Sequence, residues 1–420
     1  MYKCDLQRMQ DKIRTFAQYG ATGNGGITRY ALSAEDHLAR DEFVRRMEVI
    51  GAVIEYDDVA NVYATLQGSD PNAKRIVIAS HTDSVRNGGN YDGILGVISG
   101  MEVLETVTAE GIPHKHPLTA MIWTNEEGSQ HPPAMMASGI VCNEHLPPAI
   151  AKNFLHDNMM ASKSVLDLIT SFGDLLDQSK YKGPKAHRFN RDKYKAMFEL
   201  HIEQGPILED NYKAVGVVQC VLGMFNYRLR FYGFSAHAGT FPMHKRHDAL
   251  YAAAQALCHL HTEIDKLGRP ELVYTTGEIV CLPCVHTVIP RYVDFCIDVR
   301  HEDPAVLEQV MDIIRAMPDR EWAKCRCEIA EQWKRDTVYF DPKLIGSVRD
   351  SATELGISHQ DINSGAGHDA QFASYVVPTT MIFVRTKDGL SHCENEYASL
   401  EDCTAGASVL LNAVLKTDRE

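Results

Sequence analysis

No apolar run in the chain approaches the roughly 18 residues that a membrane-spanning helix requires, and none of that kind opens it: Met1-Tyr2-Lys3-Cys4-Asp5 leads into a mixed polar stretch without a signal-peptide core. Basic charge is in short supply. The 42 Lys and Arg against 56 Asp and Glu leave a net charge of -14, which argues against nucleic acid as a partner, because a phosphate-binding surface needs clustered cations. An anionic small molecule is not excluded, since one buried Arg can bind a carboxylate whatever the global charge. A disulfide framework is missing too. Eleven cysteines, an odd number, are scattered from Cys4 to Cys403, a pattern that fits a reducing compartment and leads us to expect a cytoplasmic protein. Cys281-Leu-Pro-Cys284 and Cys325-Arg-Cys327 match the spacing of a structural zinc site poorly, so the cysteines are read as small hydrophobes. Gly23-Asn-Gly-Gly26 has no strand before it and no Lys-Ser/Thr after it, and so makes a poor nucleotide loop.

What is present is the composition of an ordinary globular protein, 45% hydrophobic and 23% charged. At 420 residues the chain is longer than one core comfortably serves, so two domains are expected. The first half alternates helical and strand patterns, as an α/β domain does. Ser33 to Ile50 reads as a helix capped by Ser33, and Leu95 to Val107 as another. Arg75-Ile-Val-Ile-Ala-Ser80 and Leu118-Thr-Ala-Met-Ile-Trp123 read as buried strands. From about Val215 the strands alternate polar and apolar residues, as in Tyr227 to Tyr232 and Tyr292 to Arg300. Helices over His247 to Lys266 and Pro304 to Ala316 interleave with them, which predicts a small β-α-β-α open-faced sandwich. The first style then returns, with the strand Thr379 to Val384 and a C-terminal helix. The expectation is therefore a mixed-sheet α/β domain made of residues 1–212 and 331–420, interrupted by an α+β insert over 213–330.

In open α/β sheets, ligands bind beyond the carboxyl ends of the strands. Those ends deliver His81 and Asp83, then Glu126 and Glu127, then His201 after Ala196-Met-Phe-Glu-Leu200, then His392 after the strand 379–384. Asp92 lies in the glycine-rich turn Asn87-Gly-Gly-Asn-Tyr-Asp-Gly93. Any one of the 19 histidines would be weak evidence, and a lone Glu-Glu pair is normally solvated. Carried together to one sheet end, the carboxylates would be costly without a cation. Mixed imidazole and carboxylate donors suit zinc, manganese, cobalt or nickel. More donors are on offer than one ion needs, so two divalent ions are expected. Asp92 would bridge, with His81 and His201 on one ion and Glu127 and His392 on the other. Asp83 is expected to orient His81, and Glu126 is left as the candidate general base.

The segments Ser80-His-Thr-Asp-Ser-Val85, Gly88-Gly-Asn-Tyr-Asp-Gly93, Thr124-Asn-Glu-Glu-Gly128, His201-Ile-Glu-Gln-Gly205, Ser235-Ala-His-Ala-Gly-Thr240, Ser364-Gly-Ala-Gly-His-Asp-Ala370 and Ser391-His392 occur in this order. Together they resemble the N-carbamoyl-L-amino-acid hydrolase, β-ureidopropionase and allantoate amidohydrolase group of aminoacylase/carboxypeptidase-type di-metal hydrolases. The resemblance covers nearly the whole chain. It implies a metal-dependent amidohydrolase that cuts the carbamoyl or ureido C–N bond of a small carboxylic acid. It also implies that the insert is a lid through which a homodimer forms. By the same resemblance His237, on the lid, stabilises the oxyanion, Arg300 clamps the substrate carboxylate, and Gln204, His368 and the Gly365 to Gly367 backbone line the substrate pocket. Two positions depart from the group. Thr287 stands where an Asn often helps hold the substrate carboxylate, and Gln130-His131 replaces the more usual Arg-Phe. The rival expectations are an aminoacylase or dipeptidase of the same architecture and a non-catalytic dimer that binds a metal or small acid.

Overall fold

The computed structural model describes residues 1–419. The chain forms two units, Met1–Gln219 with the segment from Tyr339 onward, and Cys220–Val338. Six strands come first: β1 (Val53–Tyr56), β2 (Val62–Leu66), β3 (Arg75–His81), β4 (Leu118–Trp123), β5 (Tyr194–Ile202) and β6 (Val215–Val221). The second unit adds β7 (Gly223–Tyr232), β8 (Val273–Thr275), β9 (Ile279–Leu282), β10 (Tyr292–His301) and β11 (Arg326–Arg335). The chain then returns through β12 (Val338–Tyr339), β13 (His359–Ser364) and β14 (Thr379–Val384).

The first unit is built on a mixed sheet ordered β1-β2-β4-β3-β5-β14-β6-β12, with β13 on β6. Its middle, β4-β3-β5-β14, is parallel throughout, and those strands are buried along almost their whole length. That is why they read as continuous apolar runs rather than alternations. Parallel neighbours need crossovers, and the helix Ile94–Ala109 after β3 is one of them. Among the described residues, no helix is long and apolar enough to cross a membrane. The helix Ala34–Val49 starts at Ser33, whose hydroxyl accepts from the Asp36 amide. It carries a buried ion pair, Asp36 with Arg40 at 2.7 Å. The Thr82 hydroxyl donates to Asp36, and Arg40 donates to the Thr124 hydroxyl at 3.2 Å. One helix thus pins the residues that leave β3 and β4.

The second unit is an antiparallel sheet ordered β11-β7-β10-β8, with β9 also on β10. Val293, Phe295, Ile297 and Val299 of β10 are fully buried, as are Phe225, Leu229 and Phe231 of β7. They pack with the inner faces of the helices Ala249–Asp265 and Pro304–Arg315, so the predicted open-faced sandwich is observed. Strands β8, β9 and β11 were not expected. They are short, or rich in exposed polar residues, and it is pairing with β10 and β7 that makes them strands. The unit's limits also lie later than 213 and 330. Strand β6 pairs with β14 in the first sheet, and β11 runs along β7 as far as Arg335. Alternation marks a strand without saying which sheet it joins.

Candidate metal centre

Because β4, β3, β5 and β14 are parallel neighbours, their carboxyl ends share one edge, and their side chains meet there. His81 ends β3 opposite Trp123 of β4, and His201 on β5 pairs with Phe383 of β14. Both imidazoles are buried. Each is oriented by the main chain: His81 Nδ1 lies 2.9 Å from the Asp83 carbonyl, and His201 Nδ1 lies 2.9 Å from the Ile202 carbonyl. A carbonyl can only accept, so Nδ1 carries the proton on both rings. Nε2 of each ring is left to face the centre, the nitrogen a metal ligand offers once it is unprotonated.

Asp92 stands at that centre, 6% exposed. Its Oδ1 is 3.1 Å from His201 Nε2 and 3.7 Å from His81 Nε2, and its Oδ2 is 3.2 Å from His392 Nε2. Glu126 Oε2 lies 3.7 Å from His81 Nε2, and Glu127 Oε2 lies 3.6 Å from His392 Nε2. Three donor groups have atoms all within 4.8 Å of one another: His81-Asp92-His201, His81-Glu126-Glu127 and Asp92-Glu127-His392. The first and third share Asp92. Glu127 Oε1 is buried without any hydrogen-bond partner, which a carboxylate tolerates poorly unless a cation or proton satisfies it. The donors present therefore fit binding of divalent cations.

Electrostatics point the same way. Burial raises the Glu126 and Glu127 carboxyls well above the usual range, reinforced by Asp369 for Glu126 and by Asp92 for Glu127. Burial depresses His81 to about 4. On His201 burial acts in the same direction, but the hydrogen bond to Asp92 together with the charges of Asp92 and Glu199 outweighs it and lifts the imidazole to about 9. Asp92 itself, despite burial, is held far down by hydrogen bonds from His201 and His392. A site of this kind holds protons wherever cations are absent.

Asp83 meets His81 through its main chain. Its carboxylate is 3.9 Å from His81 Nδ1 and instead accepts the main-chain N–H groups of Glu126 and Glu127, at 3.2 and 3.1 Å. It orients His81 through its backbone carbonyl, while its side chain fixes the turn carrying both glutamates. Spacing alone cannot distinguish a carbonyl from a carboxylate two residues after a histidine.

Gln204 joins the centre, its amide donating 2.8 Å to Asp92 Oδ2. His368 is buried edge-on against His201, with ring centroids 4.6 Å apart, and lies 3.0 Å from the Ser364 hydroxyl. Gly365 and Gly367 lie between them in the turn after β13 and keep some solvent exposure. His237, Thr287 and Arg300 belong to the second unit. There the segment around His237 bridges Val288, and the Thr287 carbonyl accepts from the Ala238 amide at 2.8 Å. His237 is exposed, and its Nδ1 accepts from the Gly239 amide at 3.0 Å. Arg300 pairs with Asp298 at 2.7 Å on the less buried face of β10. Gln130 and His131 anchor a loop: the Gln130 side chain reaches Ser164, and His131 packs edge-on against Phe172.

Sequence reasoning missed Glu199, Asp369 and Glu396. Glu199 is fully buried and accepts from the Ser80 hydroxyl and the Ala370 amide. Its signal was available, because strand alternation places it on the same face as His201. Asp369 accepts from the Ser138 hydroxyl, and its other oxygen is buried without a partner. The cysteines are all free, with Cys325 and Cys327 in the second unit's core. Among the described residues, no group able to hold a metal includes a cysteine.

Relatives of the chain are amidohydrolases, and the protein is a hydrolase of amide-type C–N bonds. The chain belongs to peptidase family M20/M25/M40, matching it over residues 77–416. It is 37% identical to the N-carbamoyl-L-amino-acid amidohydrolase of Rhizobium meliloti over 418 residues, covering 99% of this chain and 97% of the relative. It is 33% identical to the allantoate amidohydrolase of Bacillus subtilis (strain 168), covering 97% and 96%. Among solved structures, the amidase of the hydantoinase/carbamoylase family from Burkholderia multivorans superposes with a TM-score of 0.88 at 37% identity, covering 100% and 99%.

Proposed function

We propose that the protein hydrolyses the carbamoyl or ureido C–N bond of a small carboxylic acid of the N-carbamoyl-L-amino-acid, ureidopropionate or allantoate type, releasing ammonia and carbon dioxide. The observation that carries this reading is the meeting of His81, Asp92, Glu127, His201 and His392 around Asp92, with Glu126 beside them. His81 and His201 would hold one divalent ion and Glu127 and His392 the other, with Asp92 between; zinc, manganese, cobalt and nickel all suit these donors. Such ions polarise a carbonyl and acidify water.

The chain's own groups supply the rest. Glu126 takes the proton of the attacking water and passes it to the leaving nitrogen, a role in which a carboxylate whose basicity is raised by burial is an effective base. His237, whose Nδ1 already accepts from Gly239, carries its proton on Nε2 and can donate to the developing oxyanion. Arg300 is the candidate partner for the substrate carboxylate, with Thr287, Gln204, His368 and the backbone of Gly365 and Gly367 as further contacts. The second unit would act as lid and dimer surface. Its strands β8 and β9 pair on one side only and expose Val273, Ile279, Val280 and Leu282. Eleven free cysteines support a cytoplasmic location.

The test is ammonia release from allantoate, N-carbamoyl-β-alanine and several N-carbamoyl-L-amino acids, each with zinc, manganese, cobalt and nickel. Turnover of one of these with ammonia as product is the expected result. Cleavage confined to N-acyl amino acids or dipeptides, with no ammonia, would replace the reading by an aminoacylase or dipeptidase.

A further inference from the structure

Glu396 lies in the loop between His392 and the C-terminal helix and is only 4% exposed, and within that loop its carboxylate meets the Ser391 hydroxyl. Its Oε1 accepts two main-chain amides from a segment some three hundred residues away: Tyr91 N–H and Asp92 N–H, each at 3.0 Å. Its Oε2 lies 3.0 Å from the hydroxyl of Ser391, the residue before His392. That hydroxyl is also 3.2 Å from Asp92 Oδ2 and 3.2 Å from the Gln204 amide nitrogen. The two segments are closed together further out. Tyr91 and Tyr397 meet edge to face with centroids 5.9 Å apart, and a Cβ at Gly89 would stand 2.3 Å from that of Glu396.

This arrangement matters because the two donors it joins differ in how firmly they are held. Asp92 is buried, and the first turn of the helix Ile94–Ala109 follows it directly. His392 has a side chain 52% exposed and a left-handed backbone, with φ +56°, on a loop rather than on a strand. A ligand on an untied loop must be ordered each time an ion binds, and that entropy subtracts from affinity. Resting on the two-ion reading above, we propose that Glu396 is a positioning residue that sets the separation of Asp92 and His392 and thereby makes the Asp92-Glu127-His392 position competent to hold an ion. The His81-Asp92-His201 position, whose imidazoles are fixed by carbonyls on β3 and β5, does not depend on the latch for its imidazoles.

The test is titration of the ion-free full-length protein with cobalt(II) chloride, followed by calorimetry and by the visible absorption of the bound cobalt, for wild type, Glu396→Ala and Glu396→Gln. Wild type should take up two ions per chain. Glu396→Ala should keep one tight ion and bind the second on the order of 10–100-fold more weakly, the range typical of lost groups that orient a ligand. Glu396→Gln retains an acceptor for the two amides and should fall between the two. If Glu396→Ala does not fold, as judged by circular dichroism, Glu396→Gln decides by the same criterion. A purely structural role would lower the melting temperature and leave both cobalt affinities and the spectrum alone. Two ions bound with wild-type affinity in the variants would overturn the latch while leaving the two-ion reading intact. A wild-type protein that takes up only one ion would overturn both.

Discussion

A Cβ placed on Gly93 would stand 2.2 Å from Cε1 of His81. Gly93 also has φ +66°, in the left-handed region, so two separate requirements meet at one residue. The turn needs a backbone that glycine adopts freely, and the imidazole needs the space that a side chain would fill. Gly93→Ala should cost about 1–3 kcal/mol from backbone strain, since φ +66° with ψ -54° is a conformation L side chains rarely adopt, and displace the His81 ring besides. Ion uptake measured by elemental analysis should fall along with activity. Normal uptake would show that the ring tolerates the intrusion.

Glu126→Gln keeps shape and removes the basic oxygen. Turnover should drop by roughly 10²–10⁴-fold, the usual contribution of a general base, while ion content stays at the wild-type level. A variant that remains active would remove Glu126 from the chemistry.

Asp83→Asn turns one acceptor oxygen into a donor that faces the amides of Glu126 and Glu127. The turn should loosen, with kcat/KM or ion affinity falling on the order of 10–100-fold and the His81 tautomer retained, because the Asp83 carbonyl still orients that ring. Ring-nitrogen NMR shifts of His81 would report the tautomer. A change of tautomer would mean that the carboxylate, not the carbonyl, sets it.

Ion binding should release protons and strengthen as pH rises. Without ions, burial keeps Glu127 protonated well above the usual carboxyl range, and Asp92 keeps His201 charged up to about 9. Both must lose a proton to act as ligands, so protons should leave as ions bind. The sign follows directly: lowering the pH favours the protonated, ion-free form. Calorimetry in buffers of different ionisation enthalpy measures the number. Proton uptake, or none exchanged, would contradict these shifts.

Much of this site was legible in the chain because its parts are local. An apolar run followed by His81, by Glu126-Glu127 or by His201 announces both a strand and what stands at its end, and the cap at Ser33 is equally local. The folded molecule decided what depends on neighbours distant in sequence. Only sheet order makes β4, β3, β5 and β14 adjacent, so that their ends become one site. Only packing turns the Asp83 carboxylate toward two amides, buries Glu199 beside Ser80 and brings Glu396 to Asp92. Hydrophobic pattern and capping are carried by residues a few positions apart, whereas strand pairing and the satisfaction of buried polar groups are settled between segments whose separation along the chain says nothing of their distance in space.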